Sequence, residues 1–486
     1  MTAAALIHRF GENGFTQVRL IESTQIGTIG VGEATVPAIR EFLSKLGIDE
    51  IDFVRRTNAT FKLAIKFEGW AEEGQSFYHP FADHGVPVAK VPFMSLWTKL
   101  KQRGAVDDID AFNLGAQLAK QDKFAIPRKN PATGNSLYNY AFHFDAKLAA
   151  DYLASWSQMS GVDRIEGTVE TIQQNSESGL IESVTLQSGE VVNGDLFIDC
   201  TGFYGLLIEQ VLKTGYQSWS RWLPCDRAVA QGCETTGLPP SATRALAQKA
   251  GWQWRIPLQN RIGNGHVYCS DYTSDEAALK DLEDQLTGKT IAEPKQLTFT
   301  TGVRNKFWHK NVYAIGLSAG FLEPLESTGI YLIQTGISLL LSNFPSKNHN
   351  QALQDEVNYG QMRHWERIRD FIILHYKLNG RQGDPFWEYC REMSIPDDLA
   401  ANIQLFRQTG RLRVEHSDFF QRSSWVSMFA GFGIVPERYH PSADDFEEAA
   451  LIDELNRMSQ SMAVAADQAP SHDAFIEKNC SALALA

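Results

Sequence analysis

Residues 311–316 (Asn-Val-Tyr-Ala-Ile-Gly) read as a strand, and an apolar run beginning at Ile330 reads as a helix. Between them lies Phe321-Leu-Glu-Pro-Leu-Glu326-Ser327-Thr328-Gly329. A strand that turns through proline and glycine into an apolar helix is the basic step of an α/β fold. Ser327 and Thr328 are natural helix caps, and the free N–H groups that open a helix bind small anions. Glu326 places a carboxylate beside that turn. The combination suits chemistry that brings a small anion to a developing cation; a plain turn and cap is the alternative reading.

The step recurs. Gly167-Thr-Val169-Glu and Gly194-Asp195-Leu-Phe-Ile-Asp199-Cys-Thr201-Gly202 read as strands closed by a turn, the second in the shape by which flavoproteins pass the chain under a cofactor. Residues 30–37 form a Gly-rich turn before a helix over 38–46, and residues 17–22 read as a strand ending in Glu22. In dinucleotide-binding βαβ units an acid about 20 residues past the glycine loop holds the ribose hydroxyls. No G-x-G-x-x-G precedes Glu22, and residues 1–10 look like the middle of a helix. The expectation is that the first strand and phosphate cradle are missing, with a start assigned to an internal methionine favoured over a truncated protein. Taken literally, such a chain binds the dinucleotide poorly and leaves a buried sheet edge unpaired. Residues 1–350 read as the core with inserted segments, 351–458 as a mostly helical module, and 459–486 as an Ala/Ser-rich helix and loose tail.

A net charge of −13 over 486 residues argues against nucleic acid and against an anionic membrane surface. No stretch reaches about 18 uninterrupted apolar residues, and the first residues lack the basic region of a secretory signal. The six cysteines show no CxxC and no metal-ligand spacing, so the expectation is buried, reduced thiols in a cytoplasmic protein without a metal.

Four segments, in order, resemble the flavin-dependent tryptophan halogenase family: Gly30-Val-Gly-Glu-Ala-Thr-Val-Pro37, Phe61-Lys62-Leu-Ala-Ile-Lys-Phe-Glu-Gly-Trp70, Gly251-Trp252-Gln-Trp254-Arg-Ile256-Pro257 and Glu323-Pro-Leu-Glu326-Ser-Thr-Gly329. Trp-x-Trp-x-Ile-Pro is the fingerprint that separates such halogenases from flavin hydroxylases. The resemblance implies an α/β fold with a Rossmann-like FAD-binding sheet and a substrate module of mostly helices. It implies that FADH2, delivered by a separate NAD(P)H-dependent reductase, reacts with O2 and chloride or bromide to give hypohalous acid. That oxidant passes through a tunnel to Lys62, which acts either as a neutral amine that takes up the halogen or as a charged hydrogen-bond donor. Burial among Phe61, Phe67 and Trp70 is expected to lower the pKa of Lys62; the alternative is a surface lysine alternating with Lys66.

The same resemblance makes Glu326 the carboxylate near the ring nitrogen of the substrate. There it steadies the cationic intermediate and helps remove its proton. Thr328 and Gly329 become halide-site residues. Glu22, Gly32, Glu33, Ala34, Val169, Leu317 and Ile330 become FAD contacts. Trp252, Trp254, Ile256, Pro257 and Ser327 wall the flavin from organic substrate, although alternate Trp residues on a strand also simply pack a core. His79, Phe81 and Trp425 match the rings that stack on the indole; the alternatives are a buried, hydrogen-bonded histidine and two core rings.

Relatives acting on free tryptophan grip its amino and carboxylate groups with tyrosines and a glutamate just before the third ring. Here residues 413–425 contain no tyrosine, and Phe420 stands where the glutamate is expected. Without that counter-charge, discrimination for the amino acid collapses. Free L-tryptophan is therefore expected to be a poor substrate, with indole or another small electron-rich aromatic preferred. A homodimer is allowed for. The competing readings are an aromatic hydroxylase of related fold and a non-catalytic relic unable to hold flavin.

Overall fold

The computed structural model describes residues 1–11, 14, 16–24, 33–106, 108–129, 136–346 and 350–482. Its α/β class is the one expected. The largest sheet has seven strands in the order Lys295–Thr298, Arg227–Cys233, Ile262–Tyr268, Gly251–Pro257, Ala242–Gln248, Ala64–Glu68, Ser76–Pro80. Its pairings are antiparallel except where Ala242–Gln248 runs parallel to Ala64–Glu68. Gly251–Pro257 is buried along nearly its whole length, as a strand covered on both faces must be.

A second, three-stranded antiparallel sheet joins Glu33–Ala34, Ala141–Phe144 and Thr60–Lys62. Leu63 alone separates Thr60–Lys62 from Ala64–Glu68. Its N–H donates to the Ser241 carbonyl at 2.8 Å, and its carbonyl accepts from the Phe81 N–H at 2.9 Å. One extended segment therefore crosses from the small sheet into the large one, with Lys62 at the crossing. Two parallel pairs stand apart from these sheets: Arg19–Glu22 with Asp163–Glu166, and Phe197–Asp199 with Val312–Ala314. Among the described residues the two pairs are not hydrogen-bonded to each other. Residues 30–32, and with them the expected flavin contact Gly32, lie outside the described residues.

The helix read from Ile330 runs Gly329–Ser342, and the helical module read from residue 351 opens with Gln351–Lys377. The latter buries every residue from 368 to 376, so its C-terminal half is a core element and not a surface amphipath. Among the described residues the end of the chain is largely helical. Glu448–Asp467 and His472–Asn479 are helices; the Ser471 hydroxyl caps the second, which buries His472 and Ile476. Five of the six free cysteines are buried as expected, but Cys200 is exposed at the end of the Phe197–Asp199 strand. No helix among the described residues is long and apolar enough to cross a membrane.

Candidate active site

Lys62 lies on a strand whose three residues are all buried, and its side chain is 0% exposed, so the surface reading fails. Lys66, by contrast, is partly exposed and pairs with Glu68 at 2.7 Å. The immediate surroundings of the Lys62 amine differ from the aromatic set expected. Phe61 stacks on Phe124 at 4.1 Å, and Phe67 and Trp70 pack with His375. The Nζ of Lys62 donates to the Thr35 carbonyl at 3.0 Å and to the Ser327 hydroxyl at 2.8 Å, and it lies 5.3 Å from the centre of the Phe81 ring. Burial lowers its pKa from the ordinary 10.5 to about 7, with the Glu326 carboxylate pulling the other way.

The chain reverses sharply here. Pro324–Glu326 is a single 3₁₀ turn, Ser327 takes a left-handed conformation (φ 59°), and the helix starts at Gly329. This turn aims Ser327 at Lys62 and Glu326 at a pair of histidines. Both carboxylate oxygens of Glu326 face His79 Nδ1, at 3.0 and 2.8 Å, and Oε1 also meets His375 Nε2 at 2.7 Å. Glu326 is 1% exposed. Burial alone raises its pKa, but the neighbouring His79 and the hydrogen bonds of both histidines outweigh this and hold it at about 2. His375 Nδ1 faces the Phe371 carbonyl at 2.7 Å and donates to it.

Around this centre stand the rings. Phe371 stacks on Phe420 at 3.8 Å and meets Trp425 edge-on at 5.2 Å, while His79 lies 6.0 Å from Phe420. A small, partly open pocket lies beside Phe419, Phe420 and Trp425, with Asp370 and Arg413 on its wall. The structure thus brings Lys62, Glu326, Ser327, His79 and Phe81 into one constellation, with Trp425 beside it. His79 is also what the plainer reading held, a buried histidine with its hydrogen bond made. Trp252 and Trp254 are packed as core residues. Each ring is buried, and Trp252 Nε1 donates to Glu323 at 2.9 Å. Trp254 lies so close over Gly265 that a Cβ there would fall 2.0 Å from the indole, so only glycine admits this ring. Ile256 is buried, and the Pro257 carbonyl accepts from the Thr60 hydroxyl at 2.7 Å.

Thr328 and Gly329 open the Gly329–Ser342 helix, and no side chain caps it. The Thr328 hydroxyl is buried without a partner, and a Cβ on Gly329 would meet nothing within 4 Å. An orphaned donor and open space at a helix N-terminus fit a small anion. For the flavin, Val169, Leu317 and Ile330 are half-buried apolar side chains that a flat ring would cover. Asp199 ties two of the strand–glycine junctions together, accepting from the Thr201 N–H at 3.0 Å and from the Ser318 hydroxyl at 3.0 Å. Glu33 and Ala34 form the short outer strand, and Glu22 ends its strand with its carboxylate held by Arg164.

The tryptophan halogenase family pattern matches residues 1–448. The chain belongs to the tryptophan halogenase family. A tryptophan 6-halogenase of Streptomyces toxytricini is 36% identical over 435 residues, 84% of this chain and 81% of that protein. A flavin-dependent halogenase from Xanthomonas campestris superposes with a TM-score of 0.95 at 41% identity, covering 100% of this chain and 97% of the other. One from Brevundimonas sp. BAL3 does so at 0.95 and 40%, covering 98% and 96%. This halogenase is thus an enzyme of the flavin-dependent kind.

Two elements of its centre were not read from the sequence. His375 lies in the last turn of Gln351–Lys377 with no motif around it, and only its polarity in a buried run marks it. The Thr35 carbonyl sits inside a segment that was read, but a main-chain acceptor leaves no trace in residue types.

Proposed function

We propose that this halogenase chlorinates or brominates an electron-rich, indole-type aromatic, with Lys62 relaying the oxidant and Glu326 facing the ring. Bound FADH2, renewed by a separate reductase, supplies with O2 the oxidising power that turns halide into hypohalous acid. The observation that carries the reading is the Lys62 amine. Two of its positions are taken by the Thr35 carbonyl and the Ser327 hydroxyl, which leaves one for the oxidant. With the pKa lowered to about 7, that third position is a lone pair at mildly alkaline pH. A neutral amine and hypohalous acid give a haloamine and water, and the haloamine delivers the halogen to the ring.

As the ring carbon takes the halogen, positive charge spreads toward the ring nitrogen. Glu326, ionised in a buried site, stabilises that charge and accepts the departing proton; such preorganised charge contributes about 3–4 kcal/mol in comparable sites. The uncapped N–H groups and free hydroxyl at Thr328–Gly329 suit the halide. Val169, Leu317 and Ile330, with Glu22, Glu33 and Ala34, would hold the FAD, and Trp252 to Pro257 would shield it. Phe420, stacked where a counter-charge for an amino group is missing, favours indole over free tryptophan.

The test is product mass spectrometry with FAD, a flavin reductase, NADH, bromide, and equal indole and tryptophan. A bromine isotope doublet on indole exceeding that on tryptophan at least tenfold is expected. Bromotryptophan in good yield would overturn the substrate reading, and oxygenated product would favour a hydroxylase.

A further inference from the structure

The strand that carries Lys62 is an edge strand. On one side Thr60–Lys62 pairs with Ala141–Phe144; on the other, no strand follows among the described residues. An open edge leaves N–H groups without partners, yet the outward N–H of Phe61 is satisfied. It donates to His472 Nε2 at 3.0 Å, from a residue 411 positions away. His472 Nδ1 lies 2.8 Å from the Pro239 carbonyl, so that nitrogen carries the hydrogen and Nε2 keeps the lone pair that Phe61 uses. Burial lowers the pKa of His472 to about 4, which preserves this neutral form at working pH.

The surrounding contacts tie the same helix to the same strand. Phe475 meets the Phe61 ring edge-on at 5.3 Å. Gln259, two residues past Pro257, donates to the Ala59 carbonyl at 2.6 Å and to the Cys480 carbonyl at 3.2 Å. Its side-chain Oε1 accepts from the Ala482 N–H at 2.6 Å. Every one of these C-terminal residues lies beyond residue 448, where the family pattern ends.

We infer that His472 is a positioning residue for Lys62: its ring closes the open edge of the lysine strand and fixes the height at which the amine meets Thr35, Ser327 and the oxidant. This rests on the reading of Lys62 as the relay. Displacing a reacting group by about 1 Å costs on the order of a hundredfold in rate, so loss of the Phe61 bond should show as misdirected oxidant and not as weaker substrate binding.

The test compares His472→Gln with His472→Asn in the full-length, FAD-loaded enzyme, with folding checked by circular dichroism. Glutamine can present its amide oxygen where Nε2 lies and accept from Phe61; asparagine is too short to reach it. Indole bromination is measured beside trapping of escaped hypobromous acid by an added thioether, and Lys62→Met is run in parallel. The expected result is Gln close to wild type, and Asn with kcat reduced about tenfold to a hundredfold, KM for indole unchanged and sulfoxide increased. If Lys62→Met is inactive on the ring but Gln and Asn behave alike, the positioning role is overturned alone. If Lys62→Met brominates indole as wild type does, the relay reading falls and the positioning role with it.

Discussion

Replacing Lys62 with methionine should change stability in opposite directions at low and high pH. In the folded chain the amine titrates at about 7, against an ordinary 10.5 when unfolded. Each tenfold difference in proton affinity is worth ~1.36 kcal/mol, so burying this lysine costs the fold on the order of 5 kcal/mol at pH 6 and on the order of 1 kcal/mol at pH 9.5. The sign follows from proton counting. Between 7 and 10.5 the unfolded chain binds more protons than the folded one, so wild-type stability rises with pH across that window. Methionine has similar volume and no charge, and removes the cost. It also leaves the Thr35 carbonyl and the Ser327 hydroxyl each without a partner, together about 2–4 kcal/mol. The variant should therefore be more stable than wild type by about 1–3 kcal/mol at pH 6 and less stable by a similar amount at pH 9.5. Urea unfolding at the two pH values, extrapolated to water, measures both differences. A stability difference that does not move with pH would refute the reasoning, because it would mean that Lys62 titrates near 10.5 in its buried site.

Glu326→Gln should lower halogenation about a hundredfold or more by removing the ionised partner of His79 and His375, with kcat falling and KM for indole little changed. Because Glu326 is held at about 2, its ionisation should contribute no acidic limb to the kcat profile above pH 4. Glu323 behaves in the opposite sense: burial raises its carboxyl to about 7, and it accepts from Trp252 and from the Tyr376 hydroxyl at 2.6 Å. Glu323→Gln should thus cost under about 1 kcal/mol at pH 6, whereas Glu323→Leu should cost about 2–5 kcal/mol by orphaning both donors, as urea unfolding would show. Phe420→Glu should raise the ratio of tryptophan to indole product about tenfold or more, worth ~1.4 kcal/mol, in the competition assay; an unchanged ratio would show that Phe420 does not set the preference.

Much of this centre was legible because its residues sit in short motifs. The Glu326–Gly329 turn announced both a carboxylate and an open helix start, and the Phe61–Trp70 segment named the lysine. The strands beside Asp199 and Ala314 were found from glycine junctions, since a backbone that must turn tightly needs glycine locally. What stayed hidden depends on contacts distant in sequence. The seven-strand order sets Ser76–Pro80 at one edge and Lys295–Thr298 at the other, which no local pattern encodes. His375 gains its meaning only when Gln351–Lys377 packs against the Glu326 turn. The end of the chain read as a helix and a loose tail from its alanine and serine; that His472–Asn479 buries His472 and Ile476 depends on partners distant in sequence.

The central claim is that Lys62 handles the oxidant after it is made. The most direct measurement gives wild type and Lys62→Met the same FADH2 supply, bromide and indole, with a thioether present to capture hypobromous acid. The account predicts that the variant yields sulfoxide at the wild-type rate or faster while bromoindole falls at least a hundredfold. Bromoindole formed at the wild-type rate by Lys62→Met would contradict it.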